Sequence, residues 1–212
     1  MKPVIDYTLY LVTDRDLMST ETLEQAVEAA CAGGVTLVQL REKHASRSEF
    51  VDLARRVKRV CDKHDIPLII NDEPDIAVEI GAAGVHVGQE DLEASRVREI
   101  VGPDAIVGVS AATVAEAQAA QRAGADYLGV GAVFPTSTKP DADFIPRETL
   151  TAICAAVSIP VVAIGGIGAD NLLSLAGTGI DGVAVVSAIF AQPDVQRATE
   201  RLLILTKELV KR

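Results

Sequence analysis

The stretch PLIINDEPDIAVEIGAAGVHVG (67–88) contains one full repeat of the pattern that decides the fold. Its first six residues are an apolar, β-branched run with the length and composition of a strand. Residues 75–82 space their apolar positions for a helix, and GAAG (81–84) brings the glycine that ends one. GVHVG (84–88) then returns to strand texture. Both strand runs are apolar on successive positions, which suits a parallel sheet covered by helices. Outward from this unit the texture repeats in LYLVTD (9–14), LVQLRE (37–42), IVGVSA (106–111), DYLGVGAVF (126–134), PVVAIGG (160–166) and GVAVVSAIF (182–190), which makes eight runs. Helical spacing fills 20–32, 46–64, 92–101, 113–123, 147–157, 169–176 and 193–211. Ser46 with Glu49 and Thr113 with Glu116 have the spacing of capping boxes. Eight strand–helix units in ~200 residues fit a (β/α)8 TIM barrel, of α/β class, better than an open doubly wound sheet. No composition break divides the chain, so one barrel domain over 1–212 is predicted.

Composition narrows the function. A formal net charge of −10 argues against nucleic acid or an anionic membrane as partner. It leaves room for a small anionic ligand met by a few clustered cations or a metal. No apolar run is long enough to span a bilayer, and MKPVIDYTLYLVTD (1–14) lacks the features of a signal peptide. Cys31, Cys61 and Cys154 are too widely spaced for a metal motif and odd in number, so a reduced, cytoplasmic setting is expected. The sequence leaves homo-oligomerisation open.

In this fold, chemistry sits where strands end at the C-terminal face. QLREK (39–43) puts Gln39, Arg41 and Lys43 on one side of an extended chain, a possible diphosphate clamp; salt bridging to nearby acids accounts for it equally. Asp72 and Asp91 end successive strands and could share one Mg²⁺, or each could cap the helix that follows it. PTSTK (135–139) offers hydroxyls and Lys139 to a phosphate, or simply forms a turn. GGI (165–167) and VVS (185–187) suit a phosphate cup after strands seven and eight, or close strand–helix packing. His44 and His64 read as surface residues, and His86, inside GVHVG, as a hydrogen-bonded core histidine.

The ordered set LYLVTD, QLREK, NDEPDIA, GVHVGQED, GVSA, GADYLGVGAVFPTSTK, AIGGI and DGVAVVSAI, from about residue 9 to 190, resembles the thiamine phosphate synthase family. The resemblance implies that Gln39, Leu40, Arg41, Glu42, Lys43 and Asn71 hold a pyrimidine diphosphate. It gives Asp72 and Asp91 one Mg²⁺ per site and lets Ser110 touch the pyrimidine. Thr136, Ser137 and Thr138 would line the side of a thiazole phosphate, with Lys139 on the diphosphate. Gly166, Val186 and Ser187 would receive the thiazole phosphate. Arg41, Lys43, Lys139 and Ser110 are then the expected catalytic set. The implied reaction is dissociative: pyrophosphate leaves first and the thiazole nitrogen, which already has a lone pair, attacks without a base.

Three positions depart from the family pattern: Glu73, Ala112 and Ala132. Ala112 replaces the histidine that a related thiazole tautomerase carries there, which favours a synthase over a tautomerase-like activity. A sugar-phosphate isomerase or epimerase would want an acid/base pair or a histidine-rich metal site, and neither stands out. A non-catalytic phosphate-binding paralogue should have lost part of the Asp72, Asp91 and Lys139 set, which is complete.

Overall fold

The structure is a computed structural model that describes residues 2–136 and 144–211. Eight parallel strands close into a barrel in sequence order: β1 (Leu9–Val12), β2 (Leu37–Leu40), β3 (Leu68–Asn71), β4 (Gly84–Val87), β5 (Ile106–Ala111), β6 (Tyr127–Val130), β7 (Val161–Ile164) and β8 (Gly182–Val185). Around it lie α1 (Leu23–Gly33), α2 (Arg47–Lys63), α3 (Pro74–Ile80), α4 (Ala94–Val101), α5 (Val114–Arg122), α6 (Arg147–Ala156), α7 (Ser187–Phe190) and α8 (Val195–Leu209).

Local chemistry explains most helix boundaries. Ser46 and Glu49 form the expected capping box at the start of α2, and Thr22 with Gln25 forms another at α1. Thr113 caps α5 by accepting from Glu116 N, but the Glu116 carboxylate turns to Ala112 N at 2.7 Å, so that box is only half made. Gly34 and Gly81 end α1 and α3 in the left-handed conformation, as the glycine pattern predicts.

Two segments differ from the sequence reading. Residues 169–176, expected as an α-helix, give only a 3-10 turn over Leu172–Leu175. The reason lies in Asn171, whose side chain accepts from Gly168 N and donates to Gly166 O, tying the backbone locally and leaving less for a helical ladder. The apolar run 182–190 is not one strand: β8 stops at Val185, and Ser187–Phe190 turns into the short α7.

Strand residues alternate between two cores. Leu9, Leu11, Val38, Leu40, Val107 and Leu128 face outward into the layer between barrel and helices. Tyr10, Leu37, Ile69, Ile106, Tyr127, Val162 and Ala184 face inward and fill the barrel with the nearby Tyr7. The register sets His86 beside Gly108 and Gly108 beside Tyr127. A Cβ on Gly108 would run into the Tyr127 ring, and one on Gly129 would press on His86. These two glycines let large rings share a narrow interior.

Gly108→Ala should therefore cost about 2 kcal/mol, the usual scale for overpacking a filled core. Equilibrium urea unfolding measures it; an unchanged midpoint would mean that the Tyr127 ring has space to move aside.

Candidate active site

At the C-terminal ends of the strands a cavity of about 260 Å³ opens, with Tyr10, Gln39, His86 and Tyr127 among the residues that line it. Its wall is contributed strand by strand. Arg41, just past β2, lies against the end of β1: its backbone N–H donates to Thr13 Oγ1 at 3.0 Å, and its guanidinium is 4.0 Å from Asp14. Asn71 closes β3 and donates from its side chain to the Asp72 carboxylate. Asp72 has a positive φ of 63°, a conformation that aspartate tolerates better than most residues. Its backbone N–H reaches across to His86 O at 2.8 Å.

The helix-capping alternative for the two acids fails. The N-cap residues of α3 and α4 are Glu73 and Glu93, and neither makes a side-chain cap bond. Asp91 instead accepts from Gly88 N at 2.7 Å, which turns its carboxylate back toward the cavity. The two carboxyls meet there. Burial, then the Asp91 carboxylate beside it, push the Asp72 carboxyl up to about 6, against the pull of Asn71 and Arg41. Two facing acids of this kind suit a hard divalent cation, which commonly takes one or two protein carboxylates and fills its remaining positions with ligand oxygens and water. The described residues hold no group of three or more His, Cys, Asp or Glu side chains placed to bind a metal, so substrate and water would supply the rest.

Four strands further around the closed barrel the wall changes character. Gly165 and Gly166 have φ of 98° and 66° after β7. A Cβ on Gly166 would collide with the Pro135 carbonyl, so the backbone can pass close to the neighbouring loop only as glycine. Val186 and Ser187 line the same side, with Ser187 opening α7. Ser110, on β5 between the two poles, also lines the cavity.

Of the residues singled out from sequence, the structure brings together Gln39, Arg41, Asn71, Asp72, Asp91, Ser110, Thr136, Gly166, Val186 and Ser187 around this one cavity. Leu40 is fully buried on the opposite face of β2, as strand alternation requires. Glu42 pairs with Arg15 at 2.6 Å and Lys43 is exposed; neither lines the cavity, because β2 ends at Leu40 and the chain turns after Arg41. Ser137, Thr138 and Lys139 lie outside the described residues. Sequence reasoning passed over Thr13, Asp14, Tyr10 and Tyr127. The signal was present for the first pair, since LYLVTD ends in Thr-Asp at a strand end like the others.

Fold and mouth together define the class: a (β/α)8 barrel enzyme with its site at the C-terminal ends of the strands. Residues 9–189 match the thiamine monophosphate synthase family. The chain is 61% identical over 203 residues to the thiamine-phosphate synthase of Ruminiclostridium cellulolyticum, covering 96% of this chain and 97% of that one. It is 57% identical over 202 residues to that of Clostridium beijerinckii, covering 95% and 97%. The solved thiamine phosphate pyrophosphorylase from Pyrococcus furiosus superposes with a TM-score of 0.90 at 38% identity, over 97% of this chain and 98% of that one. The chain belongs to the thiamine monophosphate synthase family, and it is a transferase.

The strained pair of acids makes a prediction about stability. A carboxyl whose pKa is raised from 3.8 to about 6 by folding favours the folded state while protonated. That contribution is complete below about pH 4 and is lost as pH rises through 6, so the metal-free protein is weakened at pH 7. Asp72→Asn keeps a residue suited to positive φ and removes the charge. Since the carboxyl is partly solvent-screened, the gain at pH 7 should be about 1 kcal/mol, vanishing near pH 4. Mg²⁺ should raise the melting temperature of the parent and leave that of Asp72→Asn almost unmoved. Equal stabilities of the two metal-free proteins at pH 7 would show that the acids do not face each other.

Proposed function

We propose that this enzyme condenses 4-amino-2-methyl-5-hydroxymethylpyrimidine diphosphate with 4-methyl-5-hydroxyethylthiazole phosphate to give thiamine phosphate and pyrophosphate. The observation that carries the reading is the pairing of two unlike poles across one cavity. On one side the facing Asp72 and Asp91 carboxylates sit with Arg41; on the other lie the paired glycines and the start of α7. The first pole suits a diphosphate, and the second a smaller phosphate approached by backbone N–H groups. The names of the relatives support the same reaction.

Asp72 and Asp91 are the residues that would hold Mg²⁺, which when bound offsets the negative charge of a diphosphate. Arg41, and Lys139 from the 135–139 segment, stabilise the charge that collects on the leaving oxygen as the C–O bond breaks. Both electrons of that bond depart with pyrophosphate, and the aminopyrimidine ring donates into the electron-poor methylene. The thiazole nitrogen then forms the C–N bond with its own lone pair, and no proton has to be removed. Thr136 and Ser187, with Ser137 and Thr138, hold the acceptor's phosphate so that nitrogen and methylene meet, the entropic part of catalysis. Asn71 and Gln39 complete the donor side. The working chain is a single barrel domain in the cytoplasm; among the described residues no helix is long and apolar enough to cross a membrane.

Purified protein given both substrates and Mg²⁺ should release thiamine phosphate and pyrophosphate in equal amounts, read by mass spectrometry. Chelation with EDTA should stop it and Mg²⁺ restore it. Asp91→Ala and Lys139→Ala should each slow turnover on the order of 10²-fold, the scale for losing a charge-stabilising group. Full turnover in excess chelator would overturn the metal role, and no product under any of these conditions would overturn the reaction.

A further inference from the structure

A continuous chain of polar side chains crosses the floor of the cavity. Gln39 Nε2 donates to Tyr10 Oη at 2.7 Å, and Tyr10 Oη lies 2.8 Å from Tyr127 Oη. Tyr127 Oη is 2.9 Å from His86 Nδ1, and His86 Nε2 is 3.0 Å from Ser110 Oγ. Four of the five members are nearly inaccessible: Tyr127 at 0%, Tyr10 at 2%, Gln39 at 4% and His86 at 8% exposure. All five line the cavity, and Ser110 is the one member that is more than slightly exposed.

The direction of the chain follows from its first link. An amide nitrogen donates and does not accept, so Tyr10 Oη is an acceptor there. The Tyr10 hydrogen then has Tyr127 Oη as its partner, and the Tyr127 hydrogen has His86 Nδ1. A neutral imidazole that accepts at Nδ1 carries its proton on Nε2. The ring is 8% exposed, and its two nitrogens face the Tyr127 and Ser110 hydroxyls. His86 Nε2–H therefore donates to Ser110 Oγ, which leaves the serine hydrogen for a partner other than the ring, at a residue that lines the cavity. Reversal would need every member to turn together, including the buried amide, so intermediate arrangements leave an unpaired polar group.

We propose that this chain sets the polarity of Ser110, so that its hydroxyl meets a ligand as a hydrogen-bond donor. It then selects a ring nitrogen with a free lone pair and disfavours an exocyclic amine at the same place. Tyr10, Tyr127 and His86 are positioning residues in this scheme, acting on the ligand through Ser110. The choice of ligand rests on the reading that Ser110 meets the pyrimidine; the direction of the chain does not.

Two measurements test the proposal and separate it from the reaction. In ¹⁵N-histidine-labelled protein at neutral pH, without ligand, the His86 resonances, assigned by their loss in His86→Asn, should show Nε2 protonated and Nδ1 bare. A proton on Nδ1 would reverse the chain and overturn the proposal, whatever reaction the enzyme performs. Second, Tyr127→Phe should raise KM for the pyrimidine diphosphate about fivefold with kcat little changed, while in a Ser110→Ala background the same change should move KM by less than twofold. An equal rise in both backgrounds would make Tyr127 a packing residue only and overturn the positioning role. Should Tyr127→Phe fail to fold, Tyr10→Phe removes the preceding link and is held to the same pattern. If the parent protein makes no thiamine phosphate at all, the proposed reaction falls, and the His86 tautomer alone decides the polarity.

Discussion

Space inside an eight-stranded barrel is the constraint on which the site depends. Such a barrel is just wide enough for side chains to fill it. Here it contains all three tyrosines of the chain, with Tyr7 and Tyr127 ring centroids 4.9 Å apart and Tyr10 set edgewise to Tyr127. His86 lies 5.4 Å from Tyr127 on the other side. These rings fit because Gly108 and Gly129 present no side chain at the positions they occupy. The filled interior makes the floor of the cavity out of strand side chains, Tyr10, Gln39, His86 and Tyr127 among them, while loop residues form its rim.

Those loop residues work against the overall charge. With a net charge of −10, the molecule has little reason to draw two more acids together. Asp72 and Asp91 approach because backbone bonds leave them little choice: Asp72 N–H is tied to His86 O and the Asp91 carboxylate to Gly88 N. The fold supplies the energy of that approach, which the proposed cation would offset. Arg41 is held differently, with its backbone fixed by Thr13 and its guanidinium near Asp14. Its side chain can thus turn without unmaking the loop.

Much of this is legible in the sequence. Eight apolar runs separated by helical spacing give the barrel, since burial on both faces of a parallel strand leaves a plain compositional mark. The strand-end acids and glycines followed from the rule that function collects at one face. What stayed hidden follows from the same physics. When both faces of a strand are apolar, nothing in LYLV tells which residue turns inward, so Tyr10 and Tyr127 could not be separated from ordinary core. The reading of His86 as a hydrogen-bonded core residue matches its bonds to Tyr127 and Ser110. It missed that the same side chain also lines the cavity. SAIF (187–190) continues the apolar texture of β8 while folding as a helix, so the end of that strand was invisible to composition.

Seven of the eight strands are four residues long, and β5 has six. A four-residue strand turns only two side chains inward. One layer of the interior is then packing and the next is already the floor beneath the ligand, with no neutral layer between them. A mutation at an inward position is therefore felt by folding and by chemistry at once, and selection cannot adjust either alone. Lineages that diverge in what they bind have one free register left, the loops between strands and helices. There, length and composition can drift while the barrel beneath stays as it is.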